Sequence, residues 1–115
     1  MSRPLTALIY PATDLPAATA LFTAVTGTEP YVNESYYVGF RVGDVEIGLD
    51  PHGPAGAGPI GYWEVDDINA AVTELGHAGA TTQQEPHDVG GGMLVATLTD
   101  ATGHVVGLRQ TPSGE

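Results

Sequence analysis

The chain has 115 residues, a formal net charge of −11, basic side chains only at Arg3, Arg41 and Arg109, and neither Lys nor Cys. That length buries one modest core without staples, and the missing thiols and amines exclude disulfides, Cys-zinc sites, Schiff bases and lysine-dependent phosphate loops. The acidity opposes phosphate backbones and anionic headgroups, so neither nucleic acid nor a membrane is expected as a partner; it suits solubility, or attraction of a small cation.

Leu5 to Tyr10 is a short apolar run closed by Pro11, the pattern of a buried strand. Asp14 then caps a helix with Pro16 in its first turn and Gly27 as its stop, and Leu21, Phe22 and Val25 are its expected core face. Tyr31 to Val42 is rich in aromatic and β-branched residues and holds two strands. Gly43-Asp44 turns the chain into Val45 to Asp50, where Val45, Ile47 and Leu49 alternate with Glu46, Gly48 and Asp50. The Pro/Gly-rich stretch 51–59 has no periodicity and reads as a linker.

Ile60 to Val65 is the next strand, and a helix capped by Asp66 or Asp67 runs to about His77 with Gly79 as its stop. Ala80 to Gln84 reads as a short strand and Glu85 to Gly92 as a flexible loop. Met93 to Thr99 and His104 to Gln110 form a hairpin across Ala101-Thr102-Gly103, and the tail after Thr111 frays. The prolines at 4, 11 and 16 interrupt the opening, so no signal peptide or membrane span is expected, and the lack of Cys fits a cytoplasmic location.

The order is written twice. Asp14-Leu15-Pro16-Ala17-Ala18 returns 53 residues later as Asp67-Ile68-Asn69-Ala70-Ala71, and Val45-Glu46-Ile47-Gly48-Leu49 is echoed by His104-Val105-Val106-Gly107-Leu108. Module one covers about 4–50 and module two about 60–110, each strand, helix and three strands, within one domain over 1–115. A solenoid needs at least ~3 repeats, so two halves imply a compact pair whose seam is the natural ligand site.

This duplicated order, with the phrases above, Leu21-Phe22, Thr26-Gly27, Asp88 to Gly92 and Asp100 to Leu108, resembles the vicinal oxygen chelate superfamily, which includes glyoxalase I, extradiol dioxygenases and the bleomycin-resistance proteins. The resemblance implies an α+β fold of two tandem βαβββ modules, a curved mixed sheet around a cavity, and a homodimer. It also implies where metal-dependent members take their four ligands, which here fall on Ala7, Ile60, Gly48 and Gly107. A methyl, a sec-butyl and two hydrogens coordinate nothing, and a slip of one residue offers Glu46, Val105, Tyr62 or Gly61 without completing a set. No metal and no cofactor are therefore expected. His77 sits at a helix end, His104 follows a turn glycine on the helix-side parity, and His52 and His87 lie in loops. Asp50 with His52 makes at most half a site.

Strand parity names the cavity wall. If Trp63 and Val65 pack under the second helix, Ile60, Tyr62 and Glu64 face the cavity, joined by Tyr37, Gly39, Arg41, Glu46, Gly48, Asp50, Val105, Gly107 and Arg109. The ligand-binding candidates are Tyr37, Arg41, Glu46, Asp50, Tyr62, Glu64 and Arg109. In one reading Tyr37 and Tyr62 stack on a planar ligand while a carboxylate binds a cation; in the other, Arg41 and Arg109 neutralise Glu46 and Glu64 across a dimer seam. The glycines either open room for an organic ligand or let strands approach closely. The leading expectation is a metal-free small-molecule-binding protein that sequesters an antibiotic or another cationic or planar metabolite. The alternative is a lyase, isomerase or dioxygenase acting on a small oxygenated substrate, with or without a divalent metal, using Glu64 or Glu46 as base and Tyr62 as acid. Whether the protein is an enzyme is left open by its residues.

Overall fold

The computed structural model describes residues 2–53 and 58–112. Their elements run β1 (Leu5–Pro11), α1 (Leu15–Thr26), β2 (Val32–Glu34), β3 (Tyr37–Val42), β4 (Val45–Asp50), β5 (Ile60–Glu64), α2 (Ile68–His77), β6 (Thr81–Asp88), β7 (Leu94–Thr99) and β8 (Val105–Gln110). The α+β repeat read from the sequence is what folds. Two compact units result: a first over Thr6–Gly61, and a second that joins Met1–Leu5 to Tyr62–Glu115.

In the first unit the strand order is β2-β3-β4-β1, antiparallel except for the parallel β1–β4 pair, and in the second it is β5-β8-β7-β6 with β5–β8 parallel. Register confirms the repeat. Ile9 stands beside Gly48 in the first unit as Tyr62 stands beside Gly107 in the second. Alternation then sends Ile47 and Leu49, or Val106 and Leu108, toward the helix, and Glu46, Gly48 and Asp50, or Gly107 and Arg109, to the other face.

Each helix starts where an Asp satisfies an orphan N–H: Asp14 accepts from Ala17 N and Asp67 from Ala70 N, both at 3.1 Å, worth about 1 kcal/mol apiece. Gln110 Oε1 adds a bond from Ile68 N–H at 2.8 Å, tying α2 to β8. Gly27 ends α1 in the left-handed region at φ 74°, where its missing Cβ removes the steric cost. Helix α1 covers β3 and β4 over Ala12, Val38, Phe40 and Leu49, and α2 covers β6, β7 and β8 over Val65, Ile68, Ala71, Ala96, Leu98 and Leu108.

Four expectations need correction. The inner face of α1 is Leu15, Ala18 and Phe22, whereas Leu21 and Val25 are 58% and 67% exposed; the helix leans on β3 and β4, which turns the 21/25 stripe outward. Trp63 lies on the α2 side of its strand, as parity requires, but is not buried there: it stays 40% exposed, because α2 lies mainly over β6, β7 and β8. Strand β6 continues to Asp88, so His87 is a strand residue opposite Val95. Register shifts between Thr82 and Gln84 and between Gln84 and His87 break the alternation that would reveal it, and Pro86 falls at such an irregularity on an edge strand that needs no N–H there. His104 precedes β8 and belongs to the turn. Of the linker, 54–57 lies outside the described residues, as does the tail from 113; Thr111 itself is held by Glu64.

Candidate functional site

On the first unit's helix-free face, β3 and β4 bring Tyr37 and Glu46 together. Tyr37 donates its hydroxyl to Glu46 Oε2, and Tyr31, at the entry to β2, donates to Glu46 Oε1 at 2.7 Å. Gly39 lies beneath that convergence: a Cβ there would lie 3.1 Å from the Tyr37 ring and 3.3 Å from the Tyr31 ring, so the rings would have to give by a few tenths of an ångström. Arg41 completes the cluster with its guanidinium 5.0 Å from the Tyr31 ring centroid, over the face, and Nη2 donating to the Tyr31 hydroxyl at 3.4 Å. Tyr31 is 51% exposed, so the cluster is open to solvent. Sequence reasoning named Tyr37, Arg41 and Glu46 but missed Tyr31, whose signal was its place at the head of the aromatic run.

Asp50 does other work. Its Oδ1 accepts from His52 N at 2.9 Å and its carbonyl from Ala12 N and Gly53 N, so it shapes the turn after β4. His52 Nδ1 lies 3.8 Å from Asp50 Oδ1.

The second unit holds a different carboxylate cluster on the same face of its own sheet. Glu64 Oε2 accepts from Thr111 N at 2.8 Å and Oε1 from the Thr111 hydroxyl at 2.9 Å, with Arg109 Nε 3.8 Å from Oε1. Register sets Glu64 beside Arg109 and Tyr62 beside Gly107. Thr111 is a second residue that sequence reading missed, since it follows the last strand and carries no periodic signal.

Gly48 and Gly107, where the resemblance puts metal ligands, are not openings. A Cβ at Gly48 would run into the Tyr37 hydroxyl and come within 2.6 Å of Ile9 Cδ1; one at Gly107 would meet the Tyr62 ring at 2.5–2.8 Å. The chain's own side chains fill both places, and Ala7 at the first-strand position is a buried methyl. These residues do not fit the metal centre of the metal-dependent fold members, and among the described residues no three His, Asp or Glu side chains group to hold an ion. Of the histidines, His104 is the most engaged: its Nδ1 is 2.8 Å from Asp100 Oδ2 and 2.9 Å from the Thr102 hydroxyl. Hydrogen bonds from the His104 side chain and then its N–H hold the Asp100 carboxyl far below the usual range against an opposing desolvation, and bonds from Thr102 add to the lowering.

Two βαβββ units with matching registers and a parallel first-to-last strand pair in each define the fold of the vicinal oxygen chelate proteins. Neither a family model nor a curated protein matches the sequence. Solved structures do match the fold. A hypothetical protein of Bacillus halodurans C-125 is similar at a TM-score of 0.79 and 16% identity, over 100% of this chain and 99% of that one. A glyoxalase/bleomycin resistance protein/dioxygenase superfamily member of Vibrio splendidus 12B01 is similar at 0.67 and 17%, over 96% and 100%. Streptomyces coelicolor methylmalonyl-CoA epimerase, a variant in complex with 2-nitronate-propionyl-CoA, is similar at 0.72 and 18%, over 98% and 99%. At these identities the likeness is one of fold.

Proposed function

We propose that this protein of vicinal oxygen chelate fold binds a small planar, cationic organic molecule at the Tyr31–Tyr37–Glu46 cluster and holds it without transforming it, as a sequestering protein does for an antibiotic or a similar metabolite. One observation carries the reading: the chain's own planar cation, the Arg41 guanidinium, lies 5.0 Å from the centroid of the Tyr31 ring, whose hydroxyl bonds Glu46. A ligand cation that displaces Arg41 finds an aromatic face and a carboxylate already fixed in place. Both oxygens of Glu46, and both of Glu64, already accept hydrogen bonds from the chain, which favours a charge holder over a free base. In the second unit Tyr62, Glu64 and Arg109 are proposed as ligand contacts of their own, and the working form is a cytoplasmic homodimer, which light scattering and cell fractionation check.

The test is calorimetric titration of the full chain with proflavine, a planar cation, beside a neutral ring compound of the same size. Proflavine alone binds, and Glu46→Gln weakens it about tenfold, the equivalent of ~1.4 kcal/mol. Equal affinity in the variant, or equal binding of the neutral compound, refutes the reading. A second reading, an isomerase, lyase or dioxygenase of the same fold, draws support from the Tyr–Glu–Tyr arrangement, in which an acid stands beside a base. Turnover of a small oxygenated substrate that Glu46→Gln or Glu64→Gln abolishes, with ligand affinity kept, would establish it.

A further inference from the structure

The duplication exposes a second candidate site on the other side of the second unit's sheet. In the first unit Tyr10 of β1 and Phe22 of α1 close the gap between first strand and helix, their ring centroids 4.8 Å apart. The equivalent residues in the second unit are Trp63 of β5 and Leu75 of α2. Here the helix contributes no ring against the strand, and beside Trp63 and Leu75 lies a groove of about 570 Å³, also lined by Val106 and Leu108, with Arg3 and Glu74 at its rim. That volume lies within the range of small-molecule sites, and an apolar wall with a few polar groups is their usual composition.

The rim specifies the ligand's charge. Arg3 Nη2 donates to Glu74 Oε1 at 3.0 Å, and both side chains are largely solvent-exposed. An exposed pair of this kind holds together by about 0–1 kcal/mol and is easily opened. Opened, it offers one guanidinium fork and one carboxylate side by side over an indole. A net anion would meet the repulsion of the chain's −11 charge, and a net cation would leave Arg3 facing like charge. A molecule carrying ammonium and carboxylate on one carbon, with a ring attached, satisfies both rim groups and covers Trp63.

We infer that this groove is a binding site for a zwitterionic aromatic amino acid: carboxylate on Arg3, ammonium on Glu74, and ring against Trp63, Leu75 and Leu108. It lies on the α2 side of the sheet, opposite to Glu64 and Arg109, so it stands or falls separately from the function proposed above.

Trp63 is the chain's one tryptophan, so its emission and its indole N–H resonance report this groove alone. The full chain is titrated with L-phenylalanine, exciting at the red edge of indole absorption where phenylalanine is dark. A saturable change with a Kd of about 1 mM is expected. 3-Phenylpropionate, phenethylamine and alanine each lack one of the three recognised groups and bind about tenfold more weakly. Arg3→Gln lowers affinity for phenylalanine to a similar extent, and Leu75→Phe, which copies the first unit, abolishes binding with the circular dichroism unchanged. Because Arg3 is exposed, its variant tests the proposal even where Leu75→Phe misfolds. Silence of both Trp63 signals at tenfold above the expected Kd, analogues that bind as well as phenylalanine, or full affinity in Arg3→Gln or in a folded Leu75→Phe overturns it.

Discussion

Gly107→Ala tests whether Tyr62 has replaced whatever side chain this strand position holds elsewhere. The new methyl would sit 2.5 Å from Tyr62 Cδ2, 2.7 Å from Cε2 and 2.8 Å from Cγ, where ordinary carbon contacts begin near ~3.5 Å. The ring must give by roughly 1 Å, and overpacking of that size costs about 1–3 kcal/mol. For a domain of this length the melting temperature falls by roughly 4–6 °C per kcal/mol. In a Tyr62→Ala background these three contacts are gone, and Gly107→Ala loses most of that cost, while restricting the unfolded chain contributes about 0.4–1 kcal/mol in its favour. Gly107 has no positive φ, so no backbone strain masks the effect. Urea unfolding of the four proteins, with unchanged m values, gives the coupling energy of the cycle. A result additive within ~0.5 kcal/mol would refute the claim that Tyr62 occupies this position.

Gly76 in α2 has nothing within 4 Å of an added Cβ and no positive φ, so Gly76→Ala stabilises by about 0.5–1 kcal/mol, read from the urea midpoint. Asp67→Ala removes the acceptor of Ala70 N–H and costs about 1 kcal/mol; amide exchange at Ala70 accelerates with it. The Asp100 carboxyl titrates below the ordinary value, so its contribution is fully present above the unfolded pKa and is lost as pH falls through the folded one. Carbon-detected NMR of Asp100 shows a depressed midpoint that His104→Ala moves upward, and an unmoved midpoint would rule out the His104 bonds as its cause.

What the sequence disclosed was local. The Asp caps at 14 and 67, the stop at Gly27, the turn at Gly43 and the Val45–Leu49 alternation each depend on neighbours within a few positions, and each appears where the pattern puts it. What it concealed was decided by register and by which strands a helix covers. Tyr31 reaches Glu46 across 15 positions, a contact that exists because β2, β3 and β4 pair as they do, with Gly39 beneath it. The outward turn of Leu21 and Val25 follows from α1 lying on β3 and β4, which no helical period encodes. Parity assigned Arg41, Glu46, Glu64 and Arg109 to their strand faces, but it did not reveal that Tyr37, Ile9 and Tyr62 fill the space at Gly48 and Gly107.

The repeat turns divergence into an experiment, because each unit is a control for the other. Outward positions changed in polarity: Leu21 of the first unit corresponds to Glu74 of the second, and α1 carries no charged residue at all. On the helix side the ring pair Tyr10–Phe22 corresponds to Trp63–Leu75, in which the helix supplies no ring and beside which the groove lies. Phe22→Leu should therefore open in the first unit a gap like the groove of the second. The loss of ring volume and of an aromatic pair worth about 0.5–1.5 kcal/mol sets a cost of about 1–2 kcal/mol. Urea unfolding measures it; a change below ~0.3 kcal/mol would mean that Tyr10 and Phe22 do not close that gap, and the comparison that marks the second unit's groove as a distinct feature would lose its basis.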